Sequence, residues 1–121
     1  MNQQTVDIFN PKTIRATMGS IFRVPFVYVP DLAPVLEQMH AKGIHTYAAH
    51  LKGQEYYDSF SFREPTAFLI GNEGNGLSRE ISDQAGQYLK IPMEGRVESL
   101  NASIAAALLM YEAHRQRSAS L

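Results

Sequence analysis

Short apolar runs alternate with helix-like segments along the chain. Four runs have the length and apolar content of buried strands, at residues 26–29, 44–50, 66–71 and 88–93. Helices are predicted between and after them, at residues 11–21, 31–43, 78–85 and 99–117. This alternation predicts an α/β fold in which helices flank a mainly parallel sheet on both faces.

Capping signals mark the ends of several predicted helices. Asn10 can accept a backbone hydrogen bond at the start of the first helix, and Pro11 suits the first helical position. Asp31 and Ser78 are the predicted caps of the second and third helices. Gly43 is predicted to end the second helix, because glycine readily adopts the left-handed conformation found there.

The last helix lacks the polar stripe of a surface helix. Residues 102–110, ASIAAALLM, are small or apolar on nearly every face. This helix is therefore predicted either to be buried on most sides or to pack against another subunit. In both cases Ala105 and Leu109 are expected to be packed rather than exposed.

Composition narrows the class of protein. A length of 121 residues indicates one domain, and the absence of cysteine excludes disulfides and thiolate metal sites. The formal net charge of -1 gives no general attraction to phosphates. No apolar run approaches the roughly 20 residues that span a bilayer, and the first residues lack an apolar signal-peptide core. The histidines form no convincing site. We expect a cytoplasmic protein without a membrane segment or a metal.

The first candidate loop, residues 71–78, follows an apolar strand and precedes a helix. Its glycines fit G-x-x-G-x-G, which is not the dinucleotide fingerprint. It also fails as a phosphate loop, because Leu77 stands where the lysine is required and Glu73 would repel a polyphosphate. Two interpretations remain open. The loop binds a neutral or partly cationic ligand, or it is only a tight strand-to-helix turn.

The second candidate loop, residues 92–101, occupies the same position after the last strand. Pro92 and Gly95 favour a turn, and Ser99 and Asn101 stand at the start of the last helix. Either side chain could simply cap that helix. Because ligands of parallel sheets bind beyond the carboxyl ends of strands, the two loops could also form one pocket.

Together the two loops carry a specific family resemblance. FLIGNEGNGLSREI followed by IPMEGRVESLNASIAAALLMYEAHRQ resembles motifs 2 and 3 of the SpoU/TrmH family of RNA methyltransferases. NPKTIRATMGSIFRVPF resembles the segment that precedes them, so the resemblance covers residues 8–117. It implies a SPOUT fold with a C-terminal deep trefoil knot, a homodimer, and bound S-adenosyl-L-methionine (AdoMet). The implied activity is methylation of a ribose 2′-hydroxyl in rRNA or tRNA.

The resemblance also assigns roles to individual residues. Ser99 and Asn101 would face the transferred methyl group and the RNA, as the catalytic part of motif 3. Leu100 would contact adenine, and the backbone of Ile91 and Met93 would contact the adenosine. The full implied cofactor-binding set is Gly71, Asn72, Glu73, Gly74, Ile91, Met93, Ser99, Leu100 and Asn101. A carboxylate in the first loop is compatible with the cationic sulfonium of AdoMet, whereas a lysine would be repelled.

Motif 1 of the family, N-x-G-x-x-x-R, has no match in these 121 residues. Asn10 and Arg15 are one residue too close and lack the intervening glycine, so Arg15 is only a weak substitute for the arginine that activates the ribose hydroxyl. We therefore expect residues 1–121 to form a single SpoU-type domain, incomplete at its N-terminus and weakly active or inactive alone. The alternative is a non-catalytic, knotted AdoMet-binding and dimerisation module. A base methyltransferase of the SPOUT group is disfavoured by SLN at residues 99–101.

Overall fold

A computed structural model describes residues 1–2, 5, 7–50, 53–71, 76–93 and 101–119. The chain divides into two compact units, Met1–Leu32 and Ala33–Leu121. The larger unit contains the sheet and both candidate loops, whereas the smaller one contains a short helix and an extended segment.

The smaller unit contains helix α1, Pro11–Thr17. The side chain of Asn10 accepts a hydrogen bond from the Lys12 amide at 2.9 Å, which confirms the predicted cap. The predicted helix was too long at its other end. Met18 and Gly19 have positive φ angles of 51° and 89°, and this left-handed turn separates α1 from a 3-10 helix at Ser20–Phe22.

The prediction of a buried strand at residues 26–29 was wrong. These residues lie outside regular secondary structure, and Val27 is 65% exposed. Its carbonyl accepts a hydrogen bond from the Met1 amino group at 3.0 Å, and the Val29 amide donates to the Met1 carbonyl at 2.7 Å. Prolines flank these four residues on both sides and cannot donate to a sheet ladder. Apolar content alone therefore overestimated the tendency of these residues to form a strand.

The larger unit is built on a parallel sheet of three strands in the order β2-β1-β3. The strands are β1 His45–Ala49, β2 Thr66–Leu69 and β3 Gln87–Leu89. The helices are α2 Ala33–Ala41, α3 Arg79–Gln84 and α4 Ala102–Ser118. Tyr47 of the central strand lies opposite Phe68 and Gln87. The predicted α/β class with parallel pairing is confirmed, although each strand is shorter than expected.

Alternate residues of β1 place helices on opposite faces of the sheet. Tyr47 belongs to a core cluster with Leu109 of α4. Its neighbour Thr46 points the other way, where its hydroxyl oxygen lies 2.7 Å from His40 Nε2 of α2 and accepts a bond from the Gly86 amide at 2.8 Å. The sheet is thus covered on both faces, as predicted.

The end of α2 shows why the chain turns sharply into the central strand. Gly43 has a φ of 76°, and its amide donates to the His40 carbonyl at 3.1 Å. The Ile44 amide donates to the Met39 carbonyl at 2.9 Å. This pair of bonds is a Schellman motif, which requires a left-handed residue at the glycine position. The predicted helix stop at Gly43 is confirmed.

The core on the α4 side joins all three strands to the last helix. Its buried members are Tyr47, Phe62, Leu89, Leu109 and Ala113. Ile70 and Ile91, which follow β2 and β3, pack against the same cluster. The start of each candidate loop is therefore anchored in one apolar core.

Candidate functional site

The carboxyl ends of the three strands define the site. Because the strands are parallel, these ends lie along one edge of the sheet. The outer strands β2 and β3 lead towards the candidate loops at residues 71–78 and 92–101. The central strand ends at Ala49, and the ring of the following His50 lies 5.2 Å from that of Tyr88. The two loops thus start on either side of β1.

The first loop folds back on itself at Gly71. A Cβ atom at this position would lie 2.7 Å from the Cα atom of Gly76 and would also overlap the carbonyl carbon of Gly76 and the nitrogen of Leu77. Only a residue without a side chain permits so close an approach of two backbone segments. Gly76 has a φ of 65°, which is also a glycine conformation. The glycines therefore close a tight loop, as the strand-to-helix interpretation requires.

The far end of this loop is fixed by a helix cap. The Ser78 hydroxyl accepts a hydrogen bond from the Ile81 amide at 3.3 Å, and α3 begins at the next residue. The predicted cap is confirmed. The predicted ligand-binding residues Asn72, Glu73 and Gly74 lie outside the described residues, so their roles stay predictions.

The second loop leaves the sheet earlier than predicted. Residues 88–93 were expected to form a strand, but β3 ends at Leu89. The Lys90 amide donates to the Glu55 carbonyl at 2.9 Å, and its carbonyl accepts from the Tyr57 amide at 2.9 Å. Lys90 and Tyr56 thus form an isolated parallel bridge just beyond the end of β3. Ile91 and Met93 are half-buried and lie outside regular structure.

Asn101 caps α4. Its side-chain oxygen accepts hydrogen bonds from the Ser103 amide at 2.9 Å and from the Ile104 amide at 3.4 Å. The capping interpretation is therefore confirmed for this residue. Ser99 and Leu100 lie outside the described residues, and the catalytic assignments of Ser99 and Asn101 stay predictions.

Arg15, the weak substitute for the motif-1 arginine, belongs to the smaller unit. Its Nε atom donates to the Pro11 carbonyl at 3.4 Å, within α1. This contact supports the helix and says nothing about a ribose. Its proposed chemical role stays a prediction.

One face of α4 is buried and another is open. Ala105, Leu109, Ala113 and Gln116 are buried, which confirms the expected packing of the first two. Ile104, Leu108 and Tyr111 are exposed, and Tyr111 is 74% exposed. A groove of about 720 Å³ runs along this side between Tyr57 and α4. The prediction that α4 is buried on most sides within one chain is therefore wrong. Packing of its exposed face against another subunit remains the open alternative.

Sequence reasoning overlooked the polar end of α4. Glu112 accepts two hydrogen bonds from Arg115, at 2.9 Å and 2.8 Å, and a third from Gln116 at 2.9 Å. The bonds from Arg115 and then Gln116 lower the pKa of Glu112 to about 2, so its carboxylate is ionised at neutral pH. The spacing of three and four residues could have revealed this helix-surface network.

The described part of the chain was searched for metal-binding groups and for membrane-spanning helices. It contains no group of three or more side chains suited to hold a metal ion. Within the same residues, no helix is both long and apolar enough to cross a bilayer.

Comparison with known proteins identifies the family. The model of the SpoU rRNA methylase family matches residues 1–111. The chain therefore belongs to the SpoU rRNA methylase family. YacO of Bacillus subtilis (strain 168), which carries a TrmH family tRNA/rRNA methyltransferase name, is 39% identical over 103 residues. That alignment covers 85% of this chain and 41% of YacO.

Solved structures of the same class share the fold. The SpoU methyltransferase AviRb from Streptomyces viridochromogenes, in complex with AdoMet, is 35% identical with a TM-score of 0.89. The match covers 98% of this chain and 49% of AviRb. An AdoMet-bound rRNA methyltransferase from Sinorhizobium meliloti is 36% identical with a TM-score of 0.85, over 94% of this chain and 44% of its own. The chain thus spans less than half the length of these proteins.

Proposed function

We propose that this chain forms the AdoMet-binding part of an RNA 2′-O-methyltransferase acting on tRNA or rRNA. The observation that carries the proposal is the closed loop at Gly71, where backbone lies against backbone at the carboxyl end of β2. The loop stands inside the region that matches the SpoU model. Its sequence offers Glu73 rather than a lysine, which suits a sulfonium cation better than a polyphosphate.

The residues around the sheet edge fit such a ligand. Because Gly71 has no side chain, its backbone can lie directly against that of Gly76 and Leu77. Ile91 and Met93 follow β3 outside regular secondary structure, and in this proposal their backbone contacts the adenosine. AdoMet supplies an activated methyl group, while Ser99 and Asn101 orient the acceptor. Holding both partners in place supplies a large part of the rate of such a transfer.

The knot expected from the SPOUT resemblance is part of the same proposal. Residues 94–100, which connect the segment after β3 to α4, lie outside the described residues. The knot therefore stays a prediction, supported by the family and the similar folds.

The proposal is tested by ligand binding and by methyl transfer, measured separately. We expect calorimetry to detect one S-adenosylhomocysteine per chain. Tritium transfer from labelled AdoMet to tRNA and rRNA should be weak, because no residue matches the motif-1 arginine and loss of a positioned acid–base group costs about 100- to 10,000-fold. Absence of binding would refute the cofactor assignment.

The transfer measurement also separates the competing interpretations. Binding without any transfer, even when an upstream segment carrying motif 1 is added, would favour the non-catalytic module. Transfer that Arg15→Ala abolishes would show that Arg15 replaces the missing arginine. Methylation found on a base instead of a ribose would exclude the 2′-O assignment.

We propose that the exposed face of α4 packs against a second copy of the chain. Ile104, Leu108 and Tyr111 follow helical spacing and leave an apolar stripe in water. Contiguous apolar surface of this kind commonly marks an interface. A two-fold axis would bring the same stripe of both copies together.

Sedimentation is expected to give about twice the chain mass of 13.5 kDa at micromolar concentration. Tyr111→Glu should weaken this association at least tenfold, because an unpaired charge would be buried at the interface. Gln38→Glu adds the same charge on the exposed surface of α2 and should leave the mass unchanged. A monomeric wild-type chain, or a dimer that is indifferent to Tyr111→Glu, would contradict the assignment.

A further inference from the structure

Gln116 joins α4 to the segment that precedes β2. Its side chain is buried, and its oxygen accepts a hydrogen bond from the Phe62 amide at 2.6 Å. Its nitrogen donates to the Phe60 carbonyl at 2.9 Å. The side-chain amide thus bonds the backbone at two positions two residues apart, as the peptide group of a neighbouring strand would.

Two further side chains extend this contact. Arg117 donates from Nε to the Phe62 carbonyl at 2.9 Å and from Nη2 to the Glu64 carbonyl at 3.1 Å. Glu112 accepts from the Gln116 nitrogen at 2.9 Å, which holds the amide in its orientation. We call Glu112, Gln116 and Arg117 the C-terminal latch. It binds backbone groups of residues 60–64 to the last turns of α4.

The latch connects the two elements that serve the proposed cofactor loops. Residues 60–64 lead directly into β2, and β2 leads into the loop at Gly71. The other latched element, α4, begins at its cap Asn101, immediately after the second loop. The latch is therefore attached to the element that supports each loop.

Hydrogen bonds can fix the position of a helix more closely than apolar packing alone. Leu109 and Ala113 hold α4 against the sheet, but the attraction between apolar surfaces is non-directional. The latch bonds are directional and define how far α4 extends along the sheet. Because α4 has 17 residues, or about 25 Å, displacement of its last turns is transmitted to Asn101.

We propose that Gln116 is a positioning residue that sets the placement of Asn101 relative to the loop at Gly71. This inference rests on the proposed function, since it assigns both loops to one cofactor site. A purely structural role is the competing explanation. Removing the amide leaves the buried Phe62 amide without its hydrogen bond, which costs about 1–3 kcal/mol whatever the site does.

The test therefore compares variants of matched stability. Gln116→Met keeps the length of the side chain and removes its hydrogen bonds, and Gln116→Leu removes them with a shorter side chain. Leu36→Val removes buried apolar volume in α2, on the opposite face of the sheet. Unfolding by urea identifies conditions in which these variants are equally stable and fully folded. If Gln116→Met does not fold, Gln116→Leu provides the comparison.

Two readouts are measured under those conditions. The first is amide hydrogen exchange in the ligand-free chain, at Leu69 near the end of β2 and at Ala105, whose amide bonds to the Asn101 carbonyl at 2.9 Å. The second is affinity for S-adenosylhomocysteine. Relative to Leu36→Val, we expect the Gln116 variants to exchange these amides at least tenfold faster and to bind at least tenfold more weakly.

The outcomes separate this inference from the proposed function. Equal exchange and equal affinity in the Gln116 variants and Leu36→Val would overturn the positioning role. Faster exchange with unchanged affinity would also overturn it, because the loops would then tolerate the displacement. If the wild-type chain binds no S-adenosylhomocysteine, the proposed function fails, and exchange at Ala105 alone decides whether the latch controls α4.

Discussion

Phe62→Ala is expected to lower the free energy of unfolding by about 3–5 kcal/mol, the usual cost of truncating a buried phenylalanine. Phe62 is fully buried in the core between the sheet and α4. Its ring centroid lies 5.1 Å from that of Tyr47 and 5.0 Å from that of Phe68, and both pairs meet edge to face. Such pairs contribute about 0.5–1.5 kcal/mol each beyond the burial of their area.

The expected loss of stability is large because Phe62 lies among side chains of two strands and a helix. Tyr47 belongs to β1 and Phe68 to β2, while Leu109 of α4 lies in the same cluster. A cavity at this point would remove contacts from two strands and a helix together. Surrounding side chains from the sheet cannot collapse into it without moving the strands.

Urea unfolding measures this change, with Phe22→Ala as the control. Phe22 is 79% exposed, so the same chemical truncation should alter stability by no more than about 0.5 kcal/mol. Equal losses in the two variants would contradict the assigned core. Phe62→Leu is the milder substitution if the alanine variant does not fold.

The features that were predictable from the sequence depend on local chemistry. The caps Asn10, Ser78 and Asn101 bond to amides two or three residues away, so the necessary information lies within one turn. Gly43 likewise ends α2 through bonds to the preceding turn. Local propensities and caps could therefore be judged without knowledge of the fold.

The predictions that were wrong concern strands, whose hydrogen-bond partners are distant in sequence. Residues 26–29 have strand-like composition, but a strand forms only beside a neighbour with free backbone groups. The end of β3 was also misplaced, because the length of a strand depends on its neighbours, and beyond Leu89 the described residues form only an isolated bridge between Lys90 and Tyr56. Whether a segment finds a partner is a property of the whole fold.

The candidate site also combines features that the sequence reveals with features that only the fold reveals. The glycines of residues 71–76 and the missing lysine are visible in the sequence, and by themselves they exclude a phosphate loop. The overlap that makes Gly71 necessary is not visible there, because it depends on the path of the returning chain. Gln116 was overlooked altogether, since its backbone partners lie 54 and 56 residues earlier.

Gly71→Ala is expected to weaken binding of S-adenosylhomocysteine by about tenfold or more. The added Cβ atom would meet the backbone of Gly76 and Leu77, with the Cα atom of Gly76 at 2.7 Å. Backbone atoms cannot rotate away as the end of a flexible side chain can, so the loop must open. Forcing an extra methyl group into a packed site costs about 1–3 kcal/mol, and about 1.4 kcal/mol is a factor of ten in affinity.

The control for this variant is another glycine that is needed only for the fold. Gly43 has a φ of 76°, but a methyl group added there would meet no atom within 4 Å beyond its adjoining residues. Gly43→Ala should cost about 1–2 kcal/mol of stability, because alanine is strained in the left-handed conformation. Its affinity for S-adenosylhomocysteine should equal that of the wild-type chain when both proteins are folded.

Calorimetry on the three folded proteins separates a ligand loop from a simple turn. If residues 71–78 only connect β2 to α3, both alanine variants lose stability and neither loses affinity. If the loop holds the cofactor, both variants lose stability but only Gly71→Ala loses affinity. Gly71 is then required by the site, and Gly43 only by the end of a helix. A folded Gly71→Ala chain with wild-type affinity would therefore reject the loop as the binding site, even if the chain binds the ligand elsewhere.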